Sequence, residues 1–204
     1  MNRFAKRALD VTLSGIGLVC SAPLWPVIAA AIKLDTPGPV FYAQPRVGEA
    51  GRRFRVLKFR SMIADAERGV GPVQATDADP RITRVGRVLR ATAMDELPQL
   101  VNIFRGDMSF VGPRALRPEE IDNGPEGQPV ALEAIPGFVR RCEVPPGLTG
   151  IAQIYAPRDV SRRQKFRFDL LYIRRQSFLL DVRLILLSFW ITMRGTWEAR
   201  EKKF

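Results

Sequence analysis

The hydrophobic pattern opens with a run of 22 residues that carry no charge, Val11 to Ile32. As one helix this run would extend about 33 Å, enough to cross a hydrocarbon layer of about 30 Å. Pro23 and Pro26 fall near its middle, where each removes a helix hydrogen bond, so a break is predicted at Pro23. Arg3, Lys6 and Arg7 precede the run and Lys33 follows it. Basic flanks at both ends favour neither orientation of a straight span and predict that both ends stay on the cytoplasmic side. A re-entrant helical hairpin satisfies both features. A straight bitopic helix is the main alternative. A cleaved signal peptide fits less well, because the run is long and a basic, cysteine-poor body follows it.

Beyond residue 35 the pattern changes to short elements. Val40–Gln44 and Phe54–Met62 have strand character, and the turn-rich stretch between them predicts a β-hairpin. Ala64–Arg68 is read as a short helix, and residues 69–80, rich in Gly, Pro and Asp, as a loop. Helical spacing of apolar residues predicts helices at Arg84–Ala91 and Gln99–Arg105. Gly and Pro punctuate residues 106–150, where short strands and loops are expected. Ser161–Arg175 and residues 178–193 are read as two more helices. The longest uncharged run of the second, Leu184–Met193, is too short to span, and with Phe189, Trp190 and Trp197 it suggests an interfacial or core helix. The fold class expected is α+β: a small membrane-associated domain with an N-terminal re-entrant helix (1–35), then a catalytic domain (36–204) with a β-hairpin and amphipathic interfacial helices.

Composition narrows the chemistry. Lys and Arg number 32 against 21 Asp and Glu, a net charge of +11, which suits nucleic acid, anionic lipid or phosphate-rich substrates. Histidine is absent, which excludes Ser-His-Asp and Cys-His catalysis and His-ligated zinc. Cys20 and Cys142 form no CxxC pair, so neither a disulfide framework nor a metal knuckle is indicated. Carboxylates, Lys and Arg, hydroxyls or a hard metal must carry any reaction.

The most informative stretch is MDELPQL, residues 94–100. Pro98 suits a first helical turn, which puts Asp95 and Glu96 at a helix N-terminus, a position that favours carboxylates and phosphates alike. Two adjacent carboxylates offer a nucleophile or metal ligand and a base; they also occur as ordinary capping residues. Basic residues gather nearby in sequence: Lys58 and Arg60, then Arg84, Arg87 and Arg90, then Arg114. They are either solvated surface charge or the neutralising wall of a site for phosphorylated substrates with a divalent cation. Val111-Gly112-Pro113-Arg114 is a rigid turn able to present a bidentate guanidinium. From Arg158 to Arg175 seven basic and two acidic residues interleave with Phe166, Phe168 and Tyr172, a pattern for the headgroup layer or for amphipathic packing. Asp77-x-Asp79 matches the D-x-D metal motif of nucleotide-sugar glycosyltransferases, a short motif that chance readily produces.

Four motifs in order carry a resemblance: FYAQPRVGEAGRRFRVLKFRSM, DPRITRVGRVLRATAMDELPQLVNIFRGDMSFVGPR, PPGLTGIAQI, and FDLLYI with FLLD. Together they resemble the bacterial sugar transferases, monotopic phosphoglycosyl transferases that act on polyprenyl phosphate, and the likeness to their minimal form runs to about residue 190. The resemblance implies a domain on the cytoplasmic face of the bacterial inner membrane. The implied reaction moves a sugar 1-phosphate from a UDP-sugar to polyprenyl phosphate through an aspartyl intermediate. It assigns the nucleophile and the contact to Mg²⁺ to Asp95, and the partner carboxylate to Glu96. Lys58, Arg60, Arg90, Arg114 and Gln153 are the implied substrate and phosphate contacts. The partners implied are UDP-sugar, polyprenyl phosphate and membrane lipid, with no nucleic acid. Departures from the family pattern at Ala22, Ala115, Ile151 and residues 155–158 touch sugar recognition rather than the Asp-Glu pair. Two other classes compete: a D-x-D glycosyltransferase, and a non-enzymatic basic protein of the membrane surface.

Overall fold

A computed structural model describes residues 2–66, 79–118, 120–123, 128–157 and 160–194. Asp77, Arg158 and Trp197, together with most of the 69–80 loop, lie outside the described residues. The uncharged run is broken where the prolines predicted. Helix α1 (Arg3–Ser21) and helix α2 (Leu24–Asp35) meet at a bend of 61°. Shorter-range bonds close the break: the Ala22 N–H reaches the Val19 carbonyl, and the Trp25 N–H reaches that of Ala22. The Trp25 indole also donates to Ser21 Oγ at 3.1 Å. Among the described residues no single helix is long and apolar enough to cross a membrane, whereas the bent pair passes the same test jointly.

Helix α1 is inside out by the standards of a soluble protein. Its buried positions are Lys6, Asp10, Ser14 and Ser21, while Phe4, Ile16 and Val19 are exposed. The polar stripe at i, i+4 and i+8 docks on the rest of the chain. Asp10 accepts from Ser109 Oγ and the Phe110 N–H, each at 3.0 Å. Lys6 Nζ lies 2.7 Å from Asp181 and donates to the Val111 carbonyl at 3.0 Å.

Strands β1 (Phe41–Val47) and β2 (Arg53–Phe59) form the antiparallel hairpin, in register from Phe41↔Phe59 to Val47↔Arg53. The first strand runs three residues further than expected, through Pro45. A proline is tolerated because a two-stranded sheet has only edges. The second strand stops at Phe59, and Met62 makes an isolated bridge to Ile82 instead. Residues 64–66 form a turn rather than the start of a helix, with Asp65 at φ +61°.

Helices α3 (Arg84–Ala91) and α4 (Gln99–Arg105) have the predicted bounds. The glycine- and proline-rich region holds β3 (Ser109–Val111), β4 (Ile121–Asn123), β5 (Pro129–Ala131), the four-residue helix α5 (Phe138–Arg141) and β6 (Gly147–Thr149). The one-turn helix α6 (Ile151–Tyr155) follows, and neither α5 nor α6 was expected. β4 pairs antiparallel with β5, and β3 pairs in parallel with β6. That parallel contact is close: a Cβ on Gly112 would strike the Pro145 carbonyl and the Gly147 nitrogen. Helices α7 (Arg162–Arg175) and α8 (Phe178–Met193) follow as expected. One face of α8 buries Asp181, Leu184 and Ile191, and the other exposes Leu186, Phe189, Trp190 and Met193.

Candidate active site

The Asp-Glu pair sits where three elements converge. Thr83 caps α3 by accepting from the Gly86 N–H at 2.9 Å, and Asp35 at the end of α2 accepts from the Val85 N–H at 3.0 Å. After α3 the chain reverses through Ala93, a left-handed residue at φ +55°, into a 3-10 turn over Met94–Glu96. Pro98 then leads into α4, so the pair occupies a separate turn just before that helix, not its first turn. A left-handed alanine costs about 1–2 kcal/mol and persists only where its surroundings impose it. Asn102 of α4 fixes the opposing wall, accepting from the Leu57 N–H at 3.0 Å and donating to the Arg55 carbonyl at 2.8 Å. Lys58 is thereby held in front of the acidic turn.

Asp95 is 7% exposed. Lys58 Nζ lies 2.5 Å from Glu96 Oε1 and 4.0 Å from Asp95 Oδ2, a single cation between two carboxylates. Burial pushes the Glu96 carboxyl up, but Lys58, with Arg114 and a hydrogen bond from Gln99, outweighs it and holds the group below its ordinary value. Glu96 is therefore ionised at neutral pH.

A cavity of about 790 Å³ opens beside the pair. Among the described residues its lining holds ten Arg or Lys side chains against five Asp or Glu, so the wall attracts polyanions. Every substrate contact predicted from sequence lines it: Lys58, Arg60, Arg90, Arg114 and Gln153. Two of these have structural duties as well. The Arg60 guanidinium donates to the Pro37, Thr36 and Ile32 carbonyls and closes the C-terminus of α2, the Thr36 bond measuring 2.7 Å. Gln153 Nε2 donates to the Gly112 carbonyl at 3.3 Å and so braces the turn that carries Arg114.

Arg46, Arg117, Arg141, Arg162 and Lys165 also line the cavity, and the sequence did not single out any of them as a site residue. Arg46 donates to the Ala115 carbonyl at 3.0 Å and to Gln44 at 2.6 Å. Burial first, then Arg114 and Arg117, lower its guanidinium to about 9, still cationic at neutral pH. Burial and Arg114 lower Arg162 to about 10. Arg141 reaches behind this wall: it lies 3.0 Å from Asp169, donates to the Arg114 carbonyl at 2.6 Å and stacks 4.6 Å from the Phe166 ring. The basic run that led into α7 was the available signal. Its spacing of 162, 165 and 169 lays one face of the helix along the cavity, a role distinct from the headgroup or packing role that its pattern suggests.

Asp79, half of the D-x-D motif, is engaged by Arg81 at 2.6 and 2.9 Å, and those bonds hold its carboxyl down at about 2. Among the described residues no group of three or more Asp, Glu or Cys converges to form an all-protein metal site.

An antiparallel hairpin, a buried Asp-Glu turn and a cationic cavity together form a site suited to phosphorylated ligands. The chain matches the bacterial sugar transferase family model over residues 1–195 and belongs to that family. It is 44% identical over 190 residues to the undecaprenyl-phosphate glucose phosphotransferase of Komagataeibacter xylinus, covering 90% of this chain and 35% of that protein. It is 39% identical over 194 residues to the UDP-glucose:undecaprenyl-phosphate glucose-1-phosphate transferase of Escherichia coli K12, covering 92% and 40%. The exopolysaccharide production protein PSS of Rhizobium leguminosarum is 38% identical over 190 residues, covering 91% and 93%. The chain thus spans well under half of the first two relatives and nearly all of the third.

Proposed function

We propose that this protein transfers a sugar 1-phosphate from a UDP-sugar to polyprenyl phosphate, undecaprenyl phosphate in the bacterial cell, and releases UMP. The product is a polyprenyl-diphosphate sugar, the starting point of a surface glycoconjugate such as an exopolysaccharide, O-antigen or capsule. The observation that carries this reading is the buried Asp95, facing Lys58 at 4.0 Å in a cavity walled by cations. The names of the relatives agree with it.

Two displacements at one phosphorus account for the reaction. An oxygen of Asp95 attacks the sugar-bearing phosphorus of the donor, the bond to the bridging oxygen breaks, and UMP leaves with that oxygen. A phosphate oxygen of the lipid then attacks the acyl phosphate, and the bond to Asp95 breaks to restore the carboxylate. Attacking and leaving groups are already anionic oxygens, so no proton shuttle is required, in keeping with a chain that lacks histidine. Lys58 offsets negative charge between the two neighbouring carboxylates, and Arg90 and Arg114 neutralise phosphate oxygens. A donor set of carboxylate oxygens suits Mg²⁺, which is commonly held by one or two carboxylates plus substrate phosphates. Asp95 would hold it, and the ion would supply charge neutralisation at the diphosphate.

In this reading α1 and α2 form a re-entrant pair in the cytoplasmic face of the inner membrane. Support comes from the 61° bend, from the outward apolar side chains of α1 and from the exposed Leu186, Phe189 and Trp190 of α8. The deciding experiment is to incubate the protein with UDP-sugars and undecaprenyl phosphate and identify the nucleotide product. UMP is expected, with activity abolished by EDTA and restored by Mg²⁺. Release of UDP would mean glycosyl transfer of the D-x-D kind, and full turnover without metal would remove Mg²⁺ from the account.

A further inference from the structure

A second, smaller pocket of about 110 Å³ adjoins the catalytic cavity and shares Ala93 and Glu96 with it. Leu97 and Leu100 form one side, Leu148 of β6 another, and Ser188 and Thr192 of α8 close it. Glu96 is its only charged lining residue among those described. The Thr192 hydroxyl donates to the Ser188 carbonyl at 3.0 Å, so this polar group is already engaged within its own helix. The pocket therefore runs from the acidic turn into an apolar interior.

We infer that this pocket seats the phosphate-proximal isoprene unit of the acceptor lipid, an inference that rests on the reaction proposed above. The volume equals about four waters at about 30 Å³ each, the scale of a branched five-carbon group. A sugar and a uracil each carry several hydrogen-bonding groups, which the larger cationic cavity is better able to match. The acceptor alone joins a phosphate to a branched hydrocarbon, and this pocket joins a phosphate-handling site to an apolar slot. Its surroundings lead toward lipid. Leu100 packs so close to α1 that a Cβ on Gly17 would lie 3.0 Å from its Cδ1. On α8 the neighbours of Ser188 and Thr192 are the exposed Phe189, Trp190 and Met193. A lipid phosphate at Asp95 would place its first isoprene between Leu97 and Leu100 on one side and α8 on the other, with the remaining units continuing outward into the bilayer.

The test uses full-length protein in detergent or nanodiscs and a polyprenyl phosphate that carries a diazirine on its first isoprene. Photolabel is expected on peptides containing residues 97–100 or 188–192, competed by unlabelled undecaprenyl phosphate. In Ser188→Leu, which fills the slot, that label should be lost. The KM for the acceptor should rise about tenfold or more, while the KM for the UDP-sugar, which also reports a folded cavity, changes less than about twofold. Label confined to other segments, or an acceptor KM that does not move in a variant with normal donor KM, would overturn the assignment. If no UMP forms from any donor, the proposed reaction falls, whereas the photolabel still decides where the first isoprene sits.

Discussion

At Glu96 burial and ion pairing pull in opposite directions, and pairing wins. Its carboxyl is held below the ordinary 4.5, so between the two values the unfolded chain binds the proton more tightly than the folded one. Stability from the Lys58–Glu96 pair is complete above about pH 4.5 and is lost as pH falls through the lower folded value. Glu96→Gln should flatten that acid limb in urea titrations between about pH 6 and about pH 3. An unchanged acid limb would show that the pair does not contribute. Asp95, Glu96 and Lys58 were legible in the sequence because a carboxylate pair ahead of a proline and a helix is a local signature. Arg46, Arg162 and Lys165 were not, because their convergence depends on β1 and α7 meeting across the cavity. Arg60 resembles Lys58 in sequence, but it follows the last residue of β2 and meets the carbonyls at the end of α2.

Among the elements, α1 has the least ordinary task, since it buries charge and exposes hydrocarbon. Lys6 and Asp181 form a pair with 9% and 0% of their side chains exposed. The Tyr172 hydroxyl, which accepts from Lys6, has its single proton within reach of both Asp181 at 2.9 Å and the Val111 carbonyl at 3.0 Å, which ties α1, α7 and α8 to the strand that precedes the Arg114 turn. Removing one partner strands a buried charge. Lys6→Met should therefore destabilise the fold by about 3–5 kcal/mol, and adding Asp181→Leu should recover most of the loss. Chemical denaturation of the two variants measures both values; equal losses would mean that packing, not charge, dominates there. Helices of about two turns or more with a regular apolar spacing were readable to within a residue, as α3, α4, α7 and α8 show. The single turns α5 and α6 were not, because four or five residues inside a Gly- and Pro-rich stretch show no helical period. The polar stripe of α1 was concealed by the uncharged run that follows Asp10, although Lys6, Asp10 and Ser14 stand at helical spacing.

For the molecule as a whole, the proposed reaction would bring a water-soluble donor and a lipid acceptor to the same carboxylate in the cationic cavity. On that proposal Asp95 would lie on the cytoplasmic side near the headgroups, and a chain returned by the break at Pro23 would keep residues 3 and 33 on that side. A cysteine introduced at position 3 in a Cys20→Ser background should resist an impermeant maleimide in intact spheroplasts and react after lysis. Rapid labelling from outside would establish a full span. The proposed covalent step is tested most directly by mass spectrometry of the protein mixed with UDP-sugar in the absence of acceptor. A sugar-phosphate adduct should appear on the peptide containing Asp95, discharge when polyprenyl phosphate is added, and be missing in Asp95→Asn. If no adduct forms although turnover proceeds once both substrates are present, transfer is direct and Asp95 is not the nucleophile.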